Sequence, residues 1–275
     1  MGTYGQLYAW LLEQLSHRDN AANESRWLIE SQGGAKFLEL RDKIAPEQCC
    51  KKIEEAAAQI RGGVPFQYVL GEQDFYGLTF KVNQNVLVPR PETELLVDTA
   101  LAWAAKRTGP IKALDLCTGS GCIIVALAKQ CQGEFVAGDI SGAALEVAAV
   151  NAERHGVTVD FRIGDLWDVV ARGEKFDLIT ANPPYLSAED MALIAPELAY
   201  EPSLALFGGE DGLVLYQPLI SQAPKYLNPG GLFLLEIGES QGPQVLRWAE
   251  KAFTQSEIKL DLAGRPRLLI ASEPR

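Results

Sequence analysis

Asp115-Leu116-Cys117-Thr118-Gly119-Ser120-Gly121, running without a break into Cys122-Ile123-Ile124-Val125-Ala126-Leu127, is the stretch that decides the fold. The run from Lys112 to Leu116 reads as a strand, and the apolar residues of 121–129 read as a helix. Glycines in the turn let the backbone approach a ligand closely, and the first turn of the helix offers N–H groups that lack intrahelical partners. The alternation continues down the chain, with strands expected over 112–116, 134–137, 158–163, 176–180 and 232–237 and helices over 121–129, 143–154 and 212–226. A tail helix over 245–253 precedes two strands, 258–262 and 268–272, one of them expected to insert antiparallel. Such an order predicts an α/β, doubly wound sheet, with ligands at the carboxyl ends of its strands.

The glycine turn is weak as a ligand signature. It fits a nicotinamide or flavin site about as well as a methyl donor, Ile124 stands where GxGxxG has its third glycine, and no GxxxxGK[ST] run is present. What strengthens it is the company it keeps at the other strand ends. Asp139 closes the second strand about 20 residues beyond Gly119, where an acid commonly accepts from ribose hydroxyls. Asp165 closes the third, in place to accept from an adenine amino group with Leu166 against the ring. Residues Cys117, Thr118, Gly119, Ser120 and Gly121, together with Asp139, Asp165 and Leu166, are the candidate cofactor residues.

The fourth strand runs into Ala181-Asn182-Pro183-Pro184-Tyr185. Two successive prolines fix φ and contribute no N–H, which leaves carbonyl acceptors on a stiff turn beside the Asn182 amide. A substrate nitrogen with two protons suits that arrangement: the Asn182 side-chain oxygen and the Pro183 carbonyl each accept one N–H, and the Tyr185 ring covers the planar group. Asn182 is then a positioning group and not a base. Asn182 is also a candidate cofactor residue.

Composition narrows the field. With 275 residues the chain is long enough for two domains, and 47% hydrophobic and 22% charged residues describe a globular protein. The net charge of -11 argues against a nucleic-acid substrate, because a phosphate binder presents a basic face. No apolar run of membrane-spanning length and no basic-apolar leader are present, so a cytoplasmic location without membrane association is expected. The five cysteines lack CxxC pairing and read as reduced core thiols, and with two histidines no metal site is expected.

Ahead of the alternating region, apolar residues recur at helical spacing from Tyr4 to about Arg61, with breaks near 16–20, 32–34 and 45–46. Four helices are expected, in a bundle domain of residues 1–72. Residues 73–90 are expected to form a β-hairpin linker turning at Asn83-Gln84-Asn85, and 91–275 the catalytic domain.

The NPPY run resembles the signature of amino-group methyltransferases. With Val86-Leu87-Val88-Pro89-Arg90-Pro91-Glu92-Thr93-Glu94, Cys117-Thr118-Gly119-Ser120-Gly121, Glu201-Pro202, Gly208-Gly209, Glu236-Ile237-Gly238 and Gly264-Arg265-Pro266-Arg267, the chain as a whole resembles the protein-glutamine N5-methyltransferases of class 1 peptide chain release factors. That resemblance implies a class I (Rossmann-like) methyltransferase fold and S-adenosylmethionine as methyl donor, leaving S-adenosylhomocysteine. It also implies a release factor as partner, with the glutamine of its Gly-Gly-Gln motif methylated to modulate translation termination. Substrate contacts then fall to Asn182, Pro183, Pro184, Tyr185, Arg90 and Glu92, with Asn182, Pro183 and Tyr185 as the catalytic group and the bundle gripping the partner. Two departures stand out: Cys117 replaces a common glycine, tolerable only with negative φ or with left-handed strain borne, and Leu166 replaces an aromatic. The rival readings are a nucleic-acid amino methyltransferase acting at adenine N6 or guanine N2, a nicotinamide oxidoreductase, which leaves NPPY idle, and a non-catalytic binder.

Overall fold

The structure, a computed structural model, describes residues 2–275. The chain divides into two compact units: one runs to Glu72 and takes in Ala195–Tyr200, and the other comprises Gln73–Ile194 with Glu201–Arg275.

In the first unit, helices α1 (Tyr4–Gln14), α2 (Ala21–Gly33), α3 (Phe37–Leu40), α4 (Glu47–Arg61) and α5 (Phe66–Leu70) enclose a core of their own. Helix α1 starts at a capping box, in which Thr3 Oγ1 accepts from Gln6 N at 3.4 Å and Gln6 Oε1 accepts from Thr3 N at 3.0 Å. Helix α4 buries Cys50, Ile53, Ala57 and Ile60, spaced three and four apart along one face. Four helices follow the expected breaks. The fifth was not expected: Pro65 sets its start, and Phe66 turns back into the bundle core. Arg18 binds Glu24 and also Glu197, so Ala195–Tyr200 belongs to this unit by ion pairing as well as by packing.

The second unit opens with a hairpin, β1 (Glu72–Phe75) and β2 (Leu78–Lys81). Its turn is Tyr76-Gly77, both at positive φ (52° and 71°), and not Asn83-Gln84-Asn85. Asn83 does make a turn, its Oδ1 accepting from Asn85 N at 2.9 Å, but residues 86–90 beyond it form no strand. Pro89 and Pro91 have no N–H for a ladder, and Val88 N donates to the Glu201 carboxylate at 3.0 Å instead.

A 3-10 turn over Pro91–Thr93 leads into α6 (Glu94–Ala104), and the alternation then runs β3 (Ile111–Leu116), α7 (Cys122–Gln130), β4 (Gly133–Asp139), α8 (Gly142–Arg154), β5 (Asp160–Ile163), a 3-10 turn over Leu166–Val169, and β6 (Phe176–Ala181). Short helices α9 (Ala188–Ala192) and α10 (Ser203–Leu206) precede α11 (Tyr216–Tyr226), β7 (Leu227–Glu236), α12 (Gly242–Ala252), β8 (Phe253–Leu260) and β9 (Pro266–Pro274). The sheet has seven strands in the order β5-β4-β3-β6-β7-β9-β8. Strands β3 to β7 pair in parallel, and β9 inserts antiparallel between β7 and β8, as the tail pattern suggested.

Period-two alternation feeds two cores. Leu114, Leu116, Ile179, Phe233 and Leu235 pack with α11 and α12 on one face, while Ala113, Leu178, Leu232 and Leu234 pack with α6 and α7 on the other. Covered on both faces, the central strands carry the near-continuous apolar runs that parallel sheets require. The order reverses between β3 and β6, so the crevice where ligands bind in such sheets opens at their carboxyl ends.

Candidate active site

A cleft of about 410 Å³ opens at that edge. It is lined by Cys117, Thr118, Gly119 and Ser120 after β3, Asp139 and Ile140 after β4, Asp165 and Leu166 after β5, and Asn182 and Pro184 after β6. Four strand ends that lie far apart in sequence meet there because parallel pairing holds them in register: Leu116 sits beside Gly138 and Ala181, and Asp139 beside Ile163.

The glycine loop is held from below and from the side. Asp139 Oδ2 accepts from Gly119 N and Oδ1 from Ser141 N, each at 2.9 Å, so one carboxylate fixes the loop and the next turn together. Burial raises the Asp139 pKa, and those backbone N–H groups oppose the rise. Gly121, at φ 76°, lets α7 start against α8, since a Cβ there would lie 3.0 Å from that of Ala148. Cys117 has φ 57° and Leu166 φ 45°, so the left-handed strain at Cys117 is borne, and a second strained residue lines the same cleft. Burial and the charges of Asp139, Asp115 and Asp165 push the Cys117 thiol far up, so it stays protonated. All five cysteines are free.

At NPPY the expected residues separate. Asn182 lines the cleft, and its Nδ2 donates to Thr93 Oγ1 at 3.4 Å, which leaves Oδ1 as the end available to a ligand. Pro184 lines the cleft too, but Pro183 is buried and Tyr185 is half-buried, and neither side chain forms part of the lining. The Tyr185 ring packs toward Gly238 at the end of β7, and desolvation raises its hydroxyl to about 12. Arg90 lines the cleft, with its guanidinium committed to Glu201. Glu92 lies on the exposed side of the 3-10 turn, away from the cleft lining, because that turn aims Thr93 inward in its place.

Several residues that shape the site carry no local signature. Asp115 is fully buried: Oδ2 accepts from Thr118 Oγ1 at 2.6 Å and Oδ1 from Thr180 Oγ1 at 2.7 Å, which couples the glycine loop to the strand that ends at Asn182. Desolvation lifts its pKa to about 7, against the two hydroxyl bonds. Asn151 of α8 accepts from Lys81 N and donates to Lys81 O and Ser120 O, tying the loop to the hairpin. Leu204, Ala205, Phe207 and Val214 add an apolar wall from segments with no strong periodicity. The available signal was polarity out of place: an acid inside Ala113-Leu114-Asp115-Leu116, and an asparagine on the apolar face of α8.

No helix among the described residues is long and apolar enough to cross a membrane. Residues 108–260 match the family described as a methyltransferase domain. Over the whole chain there is similarity to proteins named release factor glutamine methyltransferase: 40% identity to that of Cereibacter sphaeroides, covering 93% of this chain and 92% of that one, and 33% to that of Streptococcus pneumoniae, covering 98% of each. The relative from Geobacter sulfurreducens is 39% identical over 83% of this chain and 81% of its own. Among solved structures, a Pyrococcus furiosus methyltransferase shares the fold at a TM-score of 0.53 and 19% identity, covering 82% of this chain and 98% of that one. A Thermus thermophilus 16S rRNA N2 G1207 methyltransferase does so at 0.54 and 20%, covering 74% and 49%.

Proposed function

The chain belongs to the release factor glutamine methyltransferase family of S-adenosylmethionine-dependent enzymes, and from that premise we propose that it methylates the side-chain amide nitrogen (N5) of the glutamine in the Gly-Gly-Gln motif of class 1 release factors, in the cytoplasm. The observation that carries the reading is Asn182, turned by Thr93 so that an amide oxygen is offered to the cleft that the glycine loop and the strand-end acids also line.

The residues present fit the methyl donor. Asp139 has lone pairs left on both oxygens to accept ribose hydroxyls, Asp165 and Leu166 suit an adenine amino group and ring, and nothing within 4 Å fills the space above Gly119. When bound, S-adenosylmethionine supplies an electrophilic methyl group on a sulfonium.

The chain's own work is orientation. A carboxamide nitrogen is a poor nucleophile because its lone pair is delocalised into the carbonyl. Asn182 Oδ1 and the Pro183 carbonyl, each accepting one N–H, favour the pyramidal nitrogen whose lone pair points at the methyl group. Holding two reactants in line supplies on the order of 7–11 kcal/mol at best. The nitrogen becomes strongly acidic once methylated and sheds its proton without a dedicated base. The Tyr185 ring, packed toward Gly238, serves to stiffen the turn. The helical unit serves as the grip on the rest of the release factor.

Incubation with labelled S-adenosylmethionine and an intact release factor, followed by mass spectrometry, tests the reading. One methyl group on the glutamine of Gly-Gly-Gln is the expected result, and label on nucleic acid with none on the factor overturns it.

A further inference from the structure

Glu236 ends β7 at 2% exposure, and its Oε2 has no hydrogen-bond partner. Ser25 Oγ is the other such buried side-chain oxygen among the described residues, but a carboxylate with one oxygen unpaired is costlier to bury than a hydroxyl. Stability alone does not favour a glutamate here, since apolar replacement of buried charge is commonly neutral or stabilising. Its neighbours suggest what it does. Thr93 and Asn182 stand beside the carboxyl, and both line the cleft.

A carboxamide has two ends of nearly equal size, and only hydrogen bonding decides which one faces a ligand. Thr93 cannot decide by itself, because a hydroxyl both donates and accepts. An ionised carboxylate can only accept. Facing Glu236, the Thr93 hydroxyl meets a group that can only accept its proton, which leaves Thr93 Oγ1 to accept from Asn182 Nδ2, the 3.4 Å contact observed, while the carboxylate also interacts with the Asn182 amide directly. The Asn182 oxygen then points outward. A protonated Glu236 permits the reverse order, in which Thr93 donates to Asn182 Oδ1 and the NH2 group faces the N–H donors of the substrate.

We propose that Glu236 is a positioning residue: its ionised carboxylate sets the direction of the Thr93 hydroxyl and thereby turns the acceptor end of Asn182 toward the substrate amide. This rests on the reading that Asn182 accepts from that amide. Desolvation raises Glu236 to about 7, against Thr93, Arg267 and Asn182, while Glu92 adds to the rise. Tyr185, Tyr216 and Cys122, whose own pKa values its charge raises, are all held above their ordinary range and stay neutral near pH 7. Arg267 stays charged beside Asp261. Tyr185, Tyr216, Cys122 and Arg267 therefore keep their charge state across the range in which Glu236 changes its own. Asp115 also titrates near 7, so a variant is needed to isolate the effect.

The test uses full-length protein and Glu236→Gln, with Glu236→Met as a second variant should the first fold poorly. Wild-type turnover on release factor should fall about tenfold from pH 8 to pH 6, as the ionised fraction of a group with a pKa of about 7 does. In Glu236→Gln, turnover at pH 8 should drop about tenfold or more, the acid limb should flatten, the cofactor Kd should stay within about twofold, and the melting temperature should hold or rise. A merely structural role predicts a lower melting temperature and an unchanged acid limb, and that result overturns the proposal. The side-chain 15N signal of Asn182, recorded without substrate, should shift through a midpoint near 7 in wild type and stay fixed in the variant. No such shift sinks the role of Glu236 even if methylation succeeds, whereas a shift in a protein that leaves release factor unmethylated supports the role and rejects the proposed substrate.

Discussion

Gln241 Nε2 donates to the carbonyl of Tyr185 at 2.9 Å, joining the start of α12 to the last residue of NPPY. The same amide nitrogen donates to Gly212 O at 3.0 Å, and Gln241 Oε1 accepts from Tyr216 Oη and Gly238 N, each at 2.8 Å. One side chain therefore pins the proline turn, the glycine turn at 208–212 and the end of β7 to each other. Gln241→Leu, which strands those partners in a largely dry site, should cost about 2–4 kcal/mol in urea unfolding and also lower turnover. A loss in stability without a loss in turnover would show that the proline turn is rigid without this bond.

Asp139 serves two masters, the Gly119 amide and the ribose. Asp139→Ala should weaken S-adenosylmethionine binding by about 1.5–3 kcal/mol, through the lost charge-assisted bonds and a looser loop. Calorimetry returning wild-type affinity would remove Asp139 from the site.

Asn182→Ala should reduce turnover by on the order of 100-fold, by analogy with the loss of one preorganised polar group, and leave cofactor affinity nearly untouched. Steady-state kinetics on the protein substrate check the first expectation and calorimetry the second.

Stability should respond to pH in two windows. Asp115 and Glu236 keep their protons in the folded state up to about pH 7, whereas in the unfolded chain such groups ionise at about pH 4. The folded state binds more protons between these values, so their contribution is full below about pH 4 and is lost as pH rises through 7. Glu174 works in the opposite sense: hydrogen bonds from Arg162 and Lys112 hold it down to about 2, so its contribution is present above about pH 4 and lost toward pH 2. Thermal melts should show a midpoint that declines between about pH 5 and pH 8, with a shallower decline in Glu236→Gln.

If the helical unit grips the release factor, remote binding energy helps to place the amide. Intact release factor should then have a kcat/KM at least about 100-fold above that of a short Gly-Gly-Gln peptide, with free glutamine poorer still. Equal kcat/KM for protein and peptide would leave the helical unit without a part in recognition.

The sequence by itself determined the alternating α/β order, the strand-turn-helix around Gly119, and Asp139, Asp165 and Asn182 as residues at strand ends. Each of these comes from local pattern, because periodicity marks the strand, and a parallel sheet sends every strand's carboxyl end to the same edge. Tertiary structure decided the rest. The hairpin turn fell at Tyr76-Gly77 because two residues accept positive φ there, while Val88, further along, gives its N–H to Glu201, 113 positions away. Segment 195–200 left the sheet unit for the helical one, where Arg18 holds Glu197. Tyr185 turned toward Gly238, and of the 3-10 turn it is Thr93 that lines the cleft, with Glu92 exposed. Asp115 with Thr180, Gln241 with Tyr185, and Glu236 beside Thr93 and Asn182 are all contacts between residues remote in sequence. An acid or amide inside an apolar run announces that it needs a partner, but local pattern does not say which partner, because only the packed chain brings the two together.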